Sequence, residues 1–354
     1  MGCGRASILG AAAAAALVFA AVSTVPAVAY PSDGRHHVHT HGHGHGSGHR
    51  GAYVALGDSY TSGPLIPDQV DAACGRSNRN YPSLVAQRLR GTELTDVSCG
   101  GATTAEMWKA QGGNPPQLDA LSRRTSLVTV QIGGNDIGFG SIISTCAGAA
   151  VSDPTGNPCE KHYSAGGTDR LRAAVEAAAP KVDAVLDAIR HRAPRARVVV
   201  VGYPALLPDS GAGCRPAVPF ADGDFAYLRD TGKRLNAMLA RRAKAAHATY
   251  VDTYTPTVGH DMCAAPGVRW IEPLTPAAQA APAHPNALGE QAMAPPSSRR
   301  SAYAAAYDGA ARVSCPRGRP CPRGRHSAAT ATGRLAGALA SRVTSATTST
   351  TSGP

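Results

Sequence analysis

Aromatic residues are scarce in this sequence, with four Phe and two Trp among 354 residues. Bulky wall residues are too few to trace a binding pocket from sequence alone. Beyond residue 30 no apolar run is long enough to cross a bilayer, which excludes a polytopic membrane protein. The paired CxxC spacings of a structural zinc site are absent, and no internal repeat is visible. Charged residues make up only 17% of the chain against 43% hydrophobic ones. That composition supplies a packed core and excludes wholesale disorder. The length suits one large domain or two ordinary ones.

Positive charge is missing from the middle of the chain, although the total is +11. Residues 297–354 carry nine Arg against Asp308 alone, a net +8. Residues 1–50 carry Arg5, Arg35 and Arg50 against Asp33, a net +2, which leaves 51–296 at +1. A nucleic-acid enzyme would place its charge on the folded domain, so no dedicated nucleic-acid partner is expected.

What is present divides the chain into four segments. Residues 1–29 read as a secretory signal peptide: Arg5, an apolar run from Ile8 to Val22, and Ala27-Val28-Ala29 as the small-x-small cleavage site before Tyr30. An uncleaved membrane anchor would need a longer run. Cys3 precedes the run and would leave with it. Residues 30–50 form a His/Gly-rich linker with His36, His37, His39, His41, His43, His45 and His49. Such a tract has no apolar face to fold with and gains charge as pH falls through about 6.5. A loose Zn²⁺, Cu²⁺ or Ni²⁺ site is its alternative reading. Residues 51–294 form the candidate domain. Residues 295–354, rich in Arg, Ser and Thr and holding Cys315 and Cys321, lack periodicity and read as a disordered tail. The transition at Pro295-Pro296 is abrupt, as a frameshifted reading frame would make it.

Within 51–294, strand-like and helix-like segments alternate. Strands are expected at Ala52–Leu56, Leu94–Ser98, Leu127–Ile132, Arg197–Val201 and Thr249–Asp252. Helices are expected at Asn80–Arg90, Leu171–Arg192 (with a break at Pro180), Phe225–Ala246 and from Asn286 as N-cap. Five apolar strands without polar alternation, separated by helices, predict an α/β fold with a mainly parallel five-stranded sheet covered on both faces. An even number of cysteines beyond the leader in a secreted chain predicts disulfides, and sequential pairing gives Cys74–Cys99, Cys146–Cys159 and Cys214–Cys263. Each closure contributes about 3–4 kcal/mol in the chain-entropy account.

Four blocks carry chemistry. Gly57-Asp58-Ser59-Tyr60 follows the first strand, where parallel sheets bind ligands. It is not the GxSxG elbow, because Thr61 stands at the second glycine position. Cys99-Gly100-Gly101-Ala102-Thr103-Thr104 follows the second strand, Gly133-Gly134-Asn135-Asp136 the third, and His284-Pro285-Asn286 comes late. Taken singly, Ser59 reads as a helix N-cap, Gly101 and Asn135 as turn residues and His284 as a surface histidine. Asp58 and Asp136 read as structural hydrogen-bonders.

In combination the blocks GDSYTSG, SCGGATT, GGND and AHPNALGE resemble those of the SGNH (GDSL-type) hydrolase family, in particular its secreted actinobacterial lipases and esterases. The resemblance runs from about Tyr53 to Ala294. It implies a three-layer α/β/α sandwich stabilised by three disulfides. It also implies a cofactor-free, metal-free serine ester hydrolase acting on carboxylic esters, with lipid acyl esters favoured. Ser59 is the implied nucleophile and His284 the general base. The oxyanion hole falls to the backbone N–H groups of Ser59 and Gly101 and the side chain of Asn135. The family's usual acid three residues before the histidine is absent, since that position is Ala281. A backbone carbonyl is then expected to orient the ring, from Ala281, Pro282 or a residue near Trp270, with Asp252 and Asp261 as alternative acids. The expected protein is a secreted, extracellular monomer with transient lipid-surface contact. A carbohydrate acetyl or aryl esterase on the same fold is one alternative. A secreted metal-binding protein with an inactive hydrolase domain is another.

Overall fold

Alternate residues of the central strands enter two different cores. Val54, Leu56, Val128, Val130 and Val200 pack on one side, and Tyr53, Ala55, Leu127, Val199 and Val201 on the other. Side chains in a strand alternate between faces, so a run apolar at every position must be covered twice. The computed structural model describes residues 51–89, 91–211 and 213–294. The leader, the His/Gly-rich linker and the Arg-rich tail with Cys315 and Cys321 lie outside the described residues.

The chain enters through β1 (Ala52–Gly57), turns into the four-residue helix α1 (Ser59–Ser62), and forms a small ribbon of β2 (Gln69–Asp71) and β3 (Arg76–Ser77). Helix α2 (Tyr81–Arg88) leads to β4 (Glu93–Asp96), and β5 (Thr125–Gln131) follows. Helices α3 (Phe139–Ala149), α4 (Pro158–Ser164) and α5 (Arg170–Arg192) precede β6 (Arg197–Val201). Helix α6 (Asp224–Ala245), β7 (Thr249–Val251) and α7 (Ala287–Met293) complete the described chain. The main sheet has the order β4-β1-β5-β6-β7, with every neighbouring pair parallel. This is the α/β sandwich with a five-stranded parallel sheet that the strand pattern predicts.

Helices α5 and α6 cover the first face. On α5, Leu171, Val175, Ala178, Val182, Val185, Leu186 and Ile189 recur at helical spacing and are buried. The expected break at Pro180 does not occur, and α5 runs through it. Pro180 lies on the exposed side of the helix, so water can satisfy the carbonyl that its missing N–H leaves free. Helices α2 and α7 cover the second face through Tyr81, Val85 and Met293. Asn80 caps α2, Asp169 caps α5 and Asn286 caps α7, each accepting from backbone N–H groups of its first turn. Disulfides join Cys74 to Cys99, Cys146 to Cys159 and Cys214 to Cys263. The second of these lies in a third apolar cluster with Ile142, Phe220 and Phe225. Among the described residues no helix is long and apolar enough to cross a membrane.

Strand order places a crevice. The connection from β1 leads outward to β4, whereas β5 lies on the other side of β1 and leads toward β6 and β7. The carboxyl ends of β1 and β5 therefore flank a topological switch point, where open α/β sheets bind ligands.

Candidate active site

Ser59 is the first residue of α1 and sits directly above that switch point. Asp58, not Ser59, is the N-cap: its Oδ1 accepts the Tyr60 N–H at 2.9 Å. Gly63 ends the turn in the left-handed region, with φ 73°, and returns its N–H to the Ser59 carbonyl. Gly57 is required by packing, because a Cβ there would lie 2.2 Å from Thr61 Oγ1 and 2.8 Å from the Gln131 carbonyl.

The loop after β4 is tied to the same place. Cys99 N–H bonds the Gly57 carbonyl at 3.0 Å, and Gly100 N–H bonds the Cys74 carbonyl at 2.8 Å. Gly101 follows with φ 79°, a left-handed conformation that suits glycine, and it is exposed. After β5, the Asn135 side-chain amide donates to the Ala102 carbonyl at 2.9 Å. That leaves a second Nδ2 hydrogen, and Asn135 shares a cleft with Ser59. Asp136 is structural. It accepts the Thr104 N–H at 2.9 Å and the Thr104 hydroxyl at 2.6 Å, and Lys181 lies 3.6 Å away.

His284 arrives from the opposite side. Its Nε2 lies 2.7 Å from Ser59 Oγ, and its Nδ1 lies 2.7 Å from the Pro282 carbonyl. A carbonyl can only accept, so Nδ1 carries the proton and Nε2 presents its lone pair to the serine hydroxyl. Of the expected carbonyls, that of Pro282 is the one that meets the ring. The Ala281 carbonyl accepts the His284 backbone N–H instead, and the Trp270 carbonyl accepts that of Asn286. Neither alternative acid bonds the ring. Asp252 accepts from the backbone of Tyr254 and Thr255, and Asp261 from that of Cys263. Burial pushes the His284 pKa below its ordinary 6.5, against the opposing pull of the Pro282 bond, which keeps the ring neutral at pH 7.

The histidine loop is held by contacts that sequence reading missed. The Tyr60 hydroxyl donates to the Ala283 carbonyl at 2.6 Å, and Ala283 has a strained φ of 59°. The Tyr60 ring also lies tilted over His284 at 4.8 Å between centroids, and Phe139 meets both rings edge-on. Ala281 N–H bonds the Pro64 carbonyl at 3.0 Å, so the segments that follow Ser59 and precede His284 touch directly. Buried Glu272 anchors the remainder. It accepts from Asn286 Nδ2 at 2.8 Å, from Ala277 N–H at 2.9 Å and from Ala278 N–H at 3.2 Å, beside Arg269 at 3.4 Å. Burial opposes its ionisation, but these donors outweigh it and hold the carboxyl below the usual range.

Buried amides clamp the strand ends. Gln117 pairs with both the N–H and the carbonyl of Gly57, at 2.8 and 2.9 Å. Asn236 does the same for Tyr203 at 2.8 Å each. Gln131 joins Thr61 to the Gly202 carbonyl, and Asn80 bonds the Thr61 carbonyl. These amides satisfy buried backbone groups at the strand ends and in α1.

Beside Ser59 opens a cleft. Its walls are chiefly apolar, with Ile137, Phe139, Ile142, Leu207, Phe220 and Met262 among them. Two of the chain's four Phe are in this wall, so the scarce aromatics are concentrated at the site. Among the described residues no cluster of three or more His, Cys, Asp or Glu side chains could hold a metal ion.

The comparisons with known proteins point the same way. Residues 55–292 match the model of the GDSL-like lipase/acylhydrolase family. Lipase 2 of Streptomyces coelicolor is 45% identical over 248 residues, covering 68% of this chain and 83% of that one. The extracellular lipase of Streptomyces rimosus is 30% identical in its crystal structure, with a TM-score of 0.58 over 73% of this chain and 99% of that one. Phospholipase A1 of Streptomyces albidoflavus is 28% identical, with a TM-score of 0.56 over 73% and 98% of the two chains. The chain belongs to the GDSL-like lipase/acylhydrolase family.

Proposed function

We propose that this carboxylic ester hydrolase acts on lipid acyl esters, through an acyl-enzyme on Ser59. The observation that carries the reading is the 2.7 Å contact of Ser59 Oγ with His284 Nε2 at the edge of an apolar cleft. His284 Nε2 takes the serine proton as Oγ attacks the ester carbonyl carbon. The carbonyl oxygen becomes an oxyanion, received by the N–H groups of Ser59 and Gly101 and the free Nδ2 hydrogen of Asn135. The Pro282 carbonyl holds Nδ1–H throughout and steadies the imidazolium, less strongly than a carboxylate would. The imidazolium then protonates the leaving alcohol. Water repeats the sequence with His284 as base, which releases the acid and restores Ser59.

The apolar walls of the cleft support a lipid acyl chain over an acetyl group, because each buried methylene is worth about 0.8 kcal/mol. The leader-like segment 1–29 and the extracellular relative support secretion. Residues 30–50 then act as a linker, 51–294 as the catalytic domain and 295–354 as a tail, and the protein works as a monomer with transient lipid-surface contact.

A series of p-nitrophenyl esters from acetate to palmitate tests the reading. kcat/KM should rise with chain length from acetate to at least octanoate, and Ser59→Ala should abolish it. An optimum at acetate would sink the lipid reading, and activity surviving in Ser59→Ala would sink the nucleophile.

A further inference from the structure

Tyr203 is one of several polar side chains in the cleft that the mechanism above does not use. Tyr203 follows β6 as directly as Ser59 follows β1, so a fourth strand end reaches the crevice. Its hydroxyl donates to Asp58 Oδ2 at 2.5 Å and accepts the Gly134 N–H at 2.9 Å. One phenol oxygen therefore bridges the residue before Ser59 and the residue before Asn135. Asn236 fixes the Tyr203 backbone on both sides, and the Tyr60 ring meets the phenol edge-on at 5.2 Å. The neighbouring glycine is shaped to this contact, since a Cβ at Gly134 would lie 3.1 Å from both Cζ and the hydroxyl of Tyr203.

We propose that Tyr203 is a positioning residue that sets the separation between the Ser59 nucleophile and the Asn135 oxyanion donor. The proposal rests on the active-site reading above. The hydroxyl touches neither substrate nor reacting atoms, and it acts through the two backbone turns it joins. Asp58 makes one fixed bond to Tyr60 N–H and one to Tyr203, so a shift of the phenol moves the α1 cap and the loop after β5 relative to each other. Burial pushes the Asp58 carboxyl up to about 7, against the opposing bonds from Tyr203 and Tyr60 N–H. Burial also raises the Tyr203 phenol well above its ordinary value, so the hydroxyl keeps its proton and remains a donor.

The test is a double-mutant cycle in the full chain, on p-nitrophenyl butyrate, with thermal melts of every variant. Asn135→Ala should lower kcat by roughly 100- to 1000-fold. Tyr203→Phe should lower kcat by about 10- to 100-fold with KM within about twofold, since it leaves the cleft walls in place. In the Asn135→Ala background, Tyr203→Phe should cost less than about threefold more, because the group it positions is gone. Losses that multiply in the double variant, or a kcat unchanged in a cooperatively melting Tyr203→Phe, would overturn the proposal. Should Tyr203→Phe fail to melt cooperatively, Gly134→Ala repeats the cycle, because its methyl would press on the phenol and shift its hydroxyl without removing that group. An Asn135→Ala variant with undiminished kcat would overturn the oxyanion reading itself, and that result is distinct from the failure of the Tyr203 link.

Discussion

The two halves of the proposed catalytic pair, Ser59 and His284, are held by different means. Ser59 stands at the junction of a strand and a helix, at the carboxyl end of a parallel sheet beside its switch point, with Gly57 clamped by Gln117. His284 lies on a stretch between β7 and α7 whose only helical turn is Thr255–Thr257. There the backbone is fixed by Glu272, by an isolated bridge between Ile271 and Pro285, and by the Cys214–Cys263 disulfide. Ser59 is thus positioned chiefly by regular secondary structure. His284 is positioned by a few buried polar contacts, each of which carries more of the geometry.

That contrast predicts an asymmetry. The largest stability effect is expected on the histidine side. Glu272→Ala leaves Arg269, which is 8% exposed, without its partner and frees three donors. It should destabilise the domain by about 3 kcal/mol in urea unfolding. The folded carboxyl is depressed, so its contribution is full above its ordinary pKa of about 4.5 and is lost as pH falls through the folded value. The variant's deficit should therefore shrink in acid. A loss below about 1 kcal/mol at pH 7 would mean that the loop does not depend on this anchor.

The smallest effect is expected three residues before the base. Ala281→Asn should keep kcat within about threefold, because the imidazole takes the Pro282 carbonyl and the Ala281 carbonyl takes only the His284 backbone. A loss approaching that of Ser59→Ala would show that position 281 orients the ring after all.

The same contrast explains what could be read in the sequence. The five strands, the sheet and the blocks after β1, β4 and β5 were legible, because an apolar run ending in Gly-Asp-Ser or Gly-Gly-Asn-Asp marks a strand end by itself. The β2–β3 ribbon was not, since strands of three and two mostly polar residues carry no period. Helix α3 was missed because Phe139–Ala149 is rich in Gly, Ser and Thr, which are poor helix formers, and no side chain caps its start. The partner of His284 was narrowed to a few carbonyls and two acids, Asp252 and Asp261, and only the folded loop selects Pro282. Buried amides gave no local signal, because Gln117 finds Gly57 across 60 residues and Gln131 finds Gly202 across 71. Tyr203 was within reach of the rule that located Ser59, as it directly follows the clearest apolar strand of the chain.

The most direct test of the account is the pH dependence of covalent labelling by a p-nitrophenyl alkylphosphonate, with the adduct located by peptide mass spectrometry. The account predicts a single adduct on Ser59. Its rate should fall about tenfold per pH unit in acid, about a midpoint below 6.5, because His284 is neutral until its depressed pKa is reached. An adduct on any other residue, or an acid midpoint well above 6.5, would contradict the pairing of Ser59 with a half-buried His284 held by the Pro282 carbonyl.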